Sequence, residues 1–343
     1  RLGPLSFQPA EVAKIFLAIF FAGYLVSTRD VLTLAGPKFL GLQLPRLRDL
    51  GPLVLAWAGA ILILVAQRDL GTSLMFFGLF VAVVYVATER VSWILIGLVM
   101  FAIGALAAIW AFPHVAERFN IWLNALDPEV FNRTYGGSGQ LVRGLFGLAQ
   151  GGLTGTGWGE GFPQLVPYAN SDFIAASIGE ELGLTGLIAI LLIYLIIAQR
   201  GMRMAIGLRD GFGKLLASGL AFTLAWQCFV VVGGVTRLIP LTGLTLPFMA
   251  AGGSSLLGNW IIMGLLVRIS DSSRRPASES GAAVSTQTAM EIIGVDDDPA
   301  GPQAARPGTH PEHPPDDDNP TQIHSRGDDD GNGDAPTQVV RPE

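Results

Sequence analysis

The chain has 343 residues, half of them apolar and only 15% charged, with a mean hydropathy of +0.47; this excludes an ordinary soluble domain and fits a polytopic membrane protein. The formal net charge of −6 is unevenly spread: residues 271–343 hold fifteen acidic and five basic residues, and residues 1–270 hold thirteen and seventeen, so the body is mildly basic. The lone cysteine, Cys228, excludes an intramolecular disulfide and a cysteine-based metal site, and reads as a small buried hydrophobe.

A helix needs about 20 mostly apolar residues to cross the hydrocarbon core. Seven segments qualify: 9–27, 51–66, 72–88, 92–112, 173–197, 213–236 and 243–268. In the first, Glu11 and Lys14 of "FQPAEVAK" are three residues apart on one helix face, which makes them a candidate ion pair. The following connection, 28–50, carries Arg29, Lys38, Arg46 and Arg48. Asp69 in "QRDLGTS" stands at the head of the third span, where its plain role is a helix cap. The connection at 113–171 is the longest, and long loops inside compact proteins are often functional. Within it, "GQLVRGLFGLAQGG" has the pattern of a short amphipathic helix on the membrane surface. The glycines that follow permit close backbone approach, but no Gly-Lys-Ser/Thr follows to make a phosphate-binding P-loop.

Asp172 opens the fifth span in "YANSDFIAASIGEELG", where it reads either as a helix cap or as a reactive carboxylate. Glu180 and Glu181 come eight and nine residues later. In one continuous helix that is roughly 12–14 Å further on, which places them near mid-membrane, facing a polar cavity or the bundle interior. Arg237 in "TRLIP" is either a cation for an anionic ligand or a loop charge. The basic residues of 28–50, of 198–212 (Arg200, Arg203, Arg209) and after the last span (Arg274, Arg275) all fall on one side of a seven-span chain, the expected cytoplasmic side. Asp172, the long loop and Arg237 then share the opposite, extracellular face. After Ser270 the composition turns to Pro, Gly, Ser, Thr and Asp, so 271–343 is expected to be a disordered acidic cytoplasmic tail beside a 1–270 membrane domain.

"FQPAEVAK", "QRDLGTS", "GLFGLAQGGLTGTGWGEG", "NSDFIAASIGEELGLTG" and "PLTGLTLPFMAAGGSS" occur in the order found in the SEDS family of shape, elongation, division and sporulation proteins. The chain resembles that family, of the RodA/FtsW type with RodA preferred, over essentially all of 1–270. The resemblance implies an all-α, polytopic membrane helix bundle. Family members have ten spans and "FQPAEVAK" resembles the start of the fourth, so a chain opening on Arg1 is expected to be a piece lacking the first three.

The resemblance further implies a peptidoglycan glycosyltransferase that polymerises lipid II at the outer leaflet, with Asp172 as general base. A positioned carboxylate takes the proton of a sugar hydroxyl as it attacks an anomeric carbon and a polyprenyl pyrophosphate leaves. The developing charge calls for cations, which makes Arg237, Arg143 and Lys14 candidates, or for a divalent cation (Mg or Mn), although no dedicated metal cage is apparent in the sequence. Glu11, Asp69, Gln140, Glu180, Glu181, Ser254 and Ser255 complete the candidate substrate-binding or cavity residues. A class B penicillin-binding transpeptidase is the implied partner. Departures from the family pattern fall at Arg68 (commonly Pro), Gln164 (Glu), Val231 (Asn), Arg237 (Gly) and Ala250–Ala251 (Ser-Tyr), none of them at Asp172.

In the tail, Thr286, Thr321 and Thr337 each precede a glutamine, a pattern that suggests phosphothreonine docking sites for FHA-type proteins or else low-complexity drift. Two other function classes stay open: a lipid II flippase, which needs polar residues along a path to both faces, and a non-catalytic scaffold that recruits the elongation or division machinery through its tail.

Overall fold

The computed structural model describes residues 8–33, 38–39, 42–43, 55, 70–133 and 136–274. The expected second span at 51–66, Asp69, and Thr286, Thr321 and Thr337 lie outside the described residues. The helices, in chain order, are α1 (Pro9–Thr33), α2 (Leu70–Thr88), α3 (Ser92–Ala111), α4 (Pro113–Leu123), α5 (Pro128–Phe131), α6 (Gly139–Gly151), α7 (Ile174–Glu181), α8 (Gly183–Gly207), α9 (Gly211–Val235) and α10 (Gly253–Arg274). A two-residue antiparallel ladder, Lys38–Phe39 (β1) against Leu42–Gln43 (β2), follows α1, with Lys38 opposite Gln43 and Phe39 opposite Leu42. Among the described residues six helices, α1, α2, α3, α8, α9 and α10, are long and apolar enough to cross a membrane. The protein is a multi-pass membrane helix bundle. Helices are the natural solution there, because each satisfies its backbone hydrogen bonds within itself.

The bundle is built around α9, which packs on α1, α2, α8 and α10. Its small residues Ala217, Ser218, Gly219 and Ala221 are all buried and let neighbouring helices approach closely. Asp210 starts α9 by accepting hydrogen bonds from the Phe212 and Gly213 amides. The core joins Phe21 and Leu25 of α1, Leu79 and Val83 of α2, Leu220 and Leu224 of α9, and Ile262 of α10. In their most apolar stretches α2 and α9 are each 72% buried and α3 only 6%, so α3 lines the edge of the described bundle.

Two expected spans are re-cut by tertiary contacts. The fifth is not one helix from 173 to 197 but two, α7 and α8, broken at Leu182–Gly183. Gly183 has φ +68, and a Cβ there would stand 2.3 Å from the Gly155 nitrogen. The glycine-rich segment docks at this break, with the Leu184 and Thr185 amides donating to the Gly152 and Leu153 carbonyls. Glu180 and Glu181 therefore precede the span, and the mid-membrane expectation for them fails. The last span likewise begins at Gly253 rather than 243. Residues 242–252 run through the bundle as irregular chain, with Thr242, Leu244 and Leu246 buried. Irregular backbone at such depth survives only where protein serves it. Here the Gln227 side chain donates to Thr245 O, the Tyr194 hydroxyl to Pro247 O and the Ala251 amide to Asn170 O.

The 113–171 connection is folded. Its expected amphipathic helix is α6, with Leu141 and Val142 buried and Arg143 and Phe146 exposed. Together with α4, α5 and α7 it gathers at one end of the bundle, around Val166, Phe173 and Leu187.

Candidate functional site

Asp172 sits in a tight turn two residues before α7. Helix α7 is capped at Phe173 with no side-chain hydrogen bond, so the expected capping role of Asp172 is not realised. The position is fixed otherwise. Phe173 is fully buried against Gly144 of α6, its amide and that of Ser171 donate to Tyr168 O, and Ser177 Oγ donates to Ala169 O. The turn is tied to the irregular 242–252 segment through Asn170 and Ala251, and the Asp172 carboxylate looks toward Gly243. The half-buried carboxylate, with no capping duty, is held by the packing and hydrogen bonds of its turn. Burial pushes its pKa above the ordinary aspartate value, against the opposing pull of the Arg118 guanidinium and the Ser171 hydroxyl.

Arg118, on α4, is a candidate that the sequence did not single out. Its Nη1 donates to Leu241 O at 2.9 Å, and it borders a cavity of about 430 Å³ between α2, α3, α4, α9 and the 238–242 turn. Leu74, Phe77, Met100, Phe101, Trp226 and Phe229 are among its walls, and Arg118 is the one charged residue among its described lining. An apolar chamber with a single guanidinium and a carboxylate close by suits an amphiphile with an anionic head. The available signal was modest: an arginine one turn into an amphipathic stretch, "PHVAERFNIWL", directly after an apolar span.

Glu11 and Lys14 form the expected pair, and the structure encloses it. Lys14 Nζ lies 2.5 Å from Glu11 Oε2 and donates to Gln227 Oε1 (2.9 Å) and Asn259 Oδ1 (3.1 Å), all four residues buried. The network continues from Gln227 to Thr245 O, and Thr245 Oγ1 and Asn259 Nδ2 both donate to Ser255 Oγ. Lys14 thus spends its charge inside the protein, and the cluster braces the segment that carries Gly243. Ser254 is half-buried beside it.

The other candidates are dispersed. Glu180 Oε1 accepts the Phe162 amide at 2.8 Å, and the carbonyls of Glu180 and Glu181 accept the Thr156 and Gly157 amides, so the pair clasps the glycine-rich segment. Gln140 donates to Pro167 O and steadies the chain leading to Asp172. Arg143 is exposed on α6 and lines neither the cavity nor the Asp172 turn. Arg237 donates to the Trp122 and Leu123 carbonyls and holds α4 rather than pointing into the cavity. The described residues place no three or more His, Cys, Asp or Glu together as metal ligands.

Fold and site together define a polytopic membrane protein with a half-buried carboxylate and, near it, an arginine in the wall of an apolar chamber. The chain matches the FtsW/RodA/SpoVE family, described as cell cycle proteins, over residues 1–275 and belongs to that family. Among its relatives, the peptidoglycan glycosyltransferase RodA of Mycobacterium tuberculosis is 54% identical over 278 residues, covering 80% of this chain and 58% of that protein. Stage V sporulation protein E of Bacillus subtilis is 32% identical, covering 80% and 71%. A solved structure described as the structural coordination of polymerization and crosslinking by a peptidoglycan synthase complex aligns with TM-score 0.63 and 26% identity, over 80% of this chain and 73% of that one. The chain thus spans well under two thirds of the length of the mycobacterial relative it matches.

Proposed function

We propose that this chain carries the catalytic centre of a peptidoglycan glycosyltransferase that polymerises lipid II into glycan strands, with Asp172 as general base. The observation that supports it most directly is the half-buried Asp172 carboxylate, raised in pKa and near Arg118, which lines the apolar cavity. A carboxylate of raised basicity is better matched to taking a hydroxyl proton near neutral pH. In the step proposed, Asp172 removes the proton from the attacking sugar hydroxyl as its oxygen bonds to the anomeric carbon. The bond from that carbon to the pyrophosphate breaks, the configuration inverts, and Arg118 meets the charge that collects on the leaving phosphate. The apolar chamber suits the first isoprene units of a polyprenyl tail.

Several features support an extracellular site. Arg90, Arg200, Arg203, Arg209, Lys214, Arg268 and Arg274 gather toward the bundle end opposite Asp172, as the positive-inside tendency expects of a cytoplasmic end. The partner proposed is a class B penicillin-binding transpeptidase, a reading supported by the likeness to the synthase complex. Tail threonines 286, 321 and 337 are proposed as docking sites for FHA-type phosphothreonine readers, and a divalent cation is kept as an additional proposal for the phosphate. The deciding experiment incubates purified protein with labelled lipid II. Polymer that disappears in Asp172→Asn supports the assignment, and undiminished polymer in that variant removes it.

A further inference from the structure

Arg237 follows α9 in left-handed backbone, φ +62, a conformation uncommon for a residue with a Cβ. Its guanidinium is committed to α4: Nε donates to Trp122 O and Nη2 to Leu123 O, each at 2.8 Å. The Trp122 indole N–H donates back to Arg237 O at 3.0 Å. One helical turn earlier, on the same face of α4, Arg118 Nη1 donates to Leu241 O. Four hydrogen bonds therefore strap α4 lengthwise along the 237–241 turn. Trp122 and Leu123 are the last residues of α4, whose carbonyls have no partner within the helix, and a cation there also meets the negative end of the helix dipole. Both sides of the strap line the cavity, with Arg118, Phe119 and Trp122 on one side and Leu238, Ile239, Pro240, Leu241 and Thr242 on the other. Of the five donors in the Arg118 fork, the strap uses one, so the guanidinium is oriented without being consumed.

We propose that Arg237 is a positioning residue: by locking α4 to the 237–241 turn it presets Arg118 as the receptor for the diphosphate head of an isoprenoid amphiphile whose tail enters the cavity. The inference rests on the lipid-linked substrate proposed above, but it concerns binding and is tested separately from turnover. Arg237→Gly is the informative variant, because glycine adopts positive φ freely and the side chain is removed without backbone strain. Arg237→Lys keeps the charge and loses the planar two-pronged donation.

The measurement is calorimetric titration of farnesyl pyrophosphate into the detergent-solubilised full chain, with farnesol as the uncharged control. Arg237→Gly, Arg237→Lys and Arg118→Gln are each expected to weaken farnesyl pyrophosphate about tenfold, the loss of roughly one charge-assisted contact. Farnesol affinity should be the same in all of them. The double variant Arg237→Gly/Arg118→Gln should be no weaker than Arg118→Gln alone, since Arg237 acts through Arg118. The proposal is overturned by parental farnesyl pyrophosphate affinity in Arg237→Gly, by losses that multiply in the double variant, by farnesol affinity falling in parallel, or by no binding to the parent chain. Lipid II polymerisation is read on the same preparations. Absent polymer with this binding pattern intact removes the activity reading and leaves the strap; normal polymer with unchanged Arg237→Gly binding does the reverse.

Discussion

Two charged clusters occupy the same end of the bundle and are treated in opposite ways. Glu11 and Lys14 are buried, joined at 2.5 Å and completed by Gln227 and Asn259. Asp172 is half-buried, has no capping duty, and feels Arg118 at its side while burial raises its pKa. The first cluster is an enclosed network in which the Lys14 ammonium has three partners and the Glu11 carboxylate is kept by its ion pair with Lys14. The second has the Ser171 hydroxyl and the Arg118 guanidinium beside it, yet burial outweighs both, the condition in which a carboxylate remains basic enough to accept a proton. Full burial of charge by itself therefore does not distinguish the proposed base; a partial burial that raises its basicity does.

The contrast is broken most severely at Asp172. Asp172→Asn keeps size and polarity and removes the base, so lipid II polymerisation should fall by about 10²–10⁴-fold, checked by gel analysis of labelled polymer. The same change should stabilise the fold. A carboxyl whose folded pKa lies above its unfolded value contributes stability that is complete below the unfolded pKa and lost as pH rises through the folded pKa. The melting temperature of Asp172→Asn should thus exceed the parent's at alkaline pH, with the gap closing as pH falls. No such gain at any pH would mean that the Asp172 site is not desolvated.

Lys14→Met tests the other cluster. It strands the buried Glu11 carboxylate, and a loss of about 3–5 kcal/mol is expected, read as a lower melting temperature and lower yield in detergent. Next in size is Gly151→Ala, whose Cβ would lie 2.0 Å from the Gly179 carbonyl oxygen, a backbone atom that cannot swing aside. Separating α6 from α7 there should cost about 1–3 kcal/mol, measured by thermal unfolding. The finest probe is Arg118→Gln. Removing the guanidinium that draws the Asp172 pKa down should move the acid limb of the pH–activity profile to higher pH, and an unmoved limb would separate Arg118 from Asp172 electrically.

The apolar runs made the helical membrane class readable, because spans of that length have no other solution in lipid. The motif order made the family readable, and Asp172 stood out within it. The three-residue spacing of Glu11 and Lys14 gave their pairing directly. Its enclosure by Gln227 and Asn259 could not be read, since those residues lie 213 and 245 positions away from Lys14. Hydropathy also ran the fifth span straight through Glu180 and Glu181, where the structure breaks it. Nothing local in "IGEELG" announces that break, which is created by docking of a segment some thirty residues upstream.

The sequence by itself determined the lipid-phase helices and the amphipathic α6, because hydrophobic length and helical periodicity are local properties; Asp172 was singled out by the motif it shares with the family. Only the tertiary structure decided which cation serves that carboxylate. Lys14, Arg143 and Arg237 were the candidates in one dimension and Arg118 was not, but folding satisfied Lys14 with amides and the Glu11 carboxylate, left Arg143 exposed on α6, turned Arg237 onto the carbonyls of α4, and set Arg118 in the chamber wall. A charge is defined by its partners, and those partners come from distant parts of the chain.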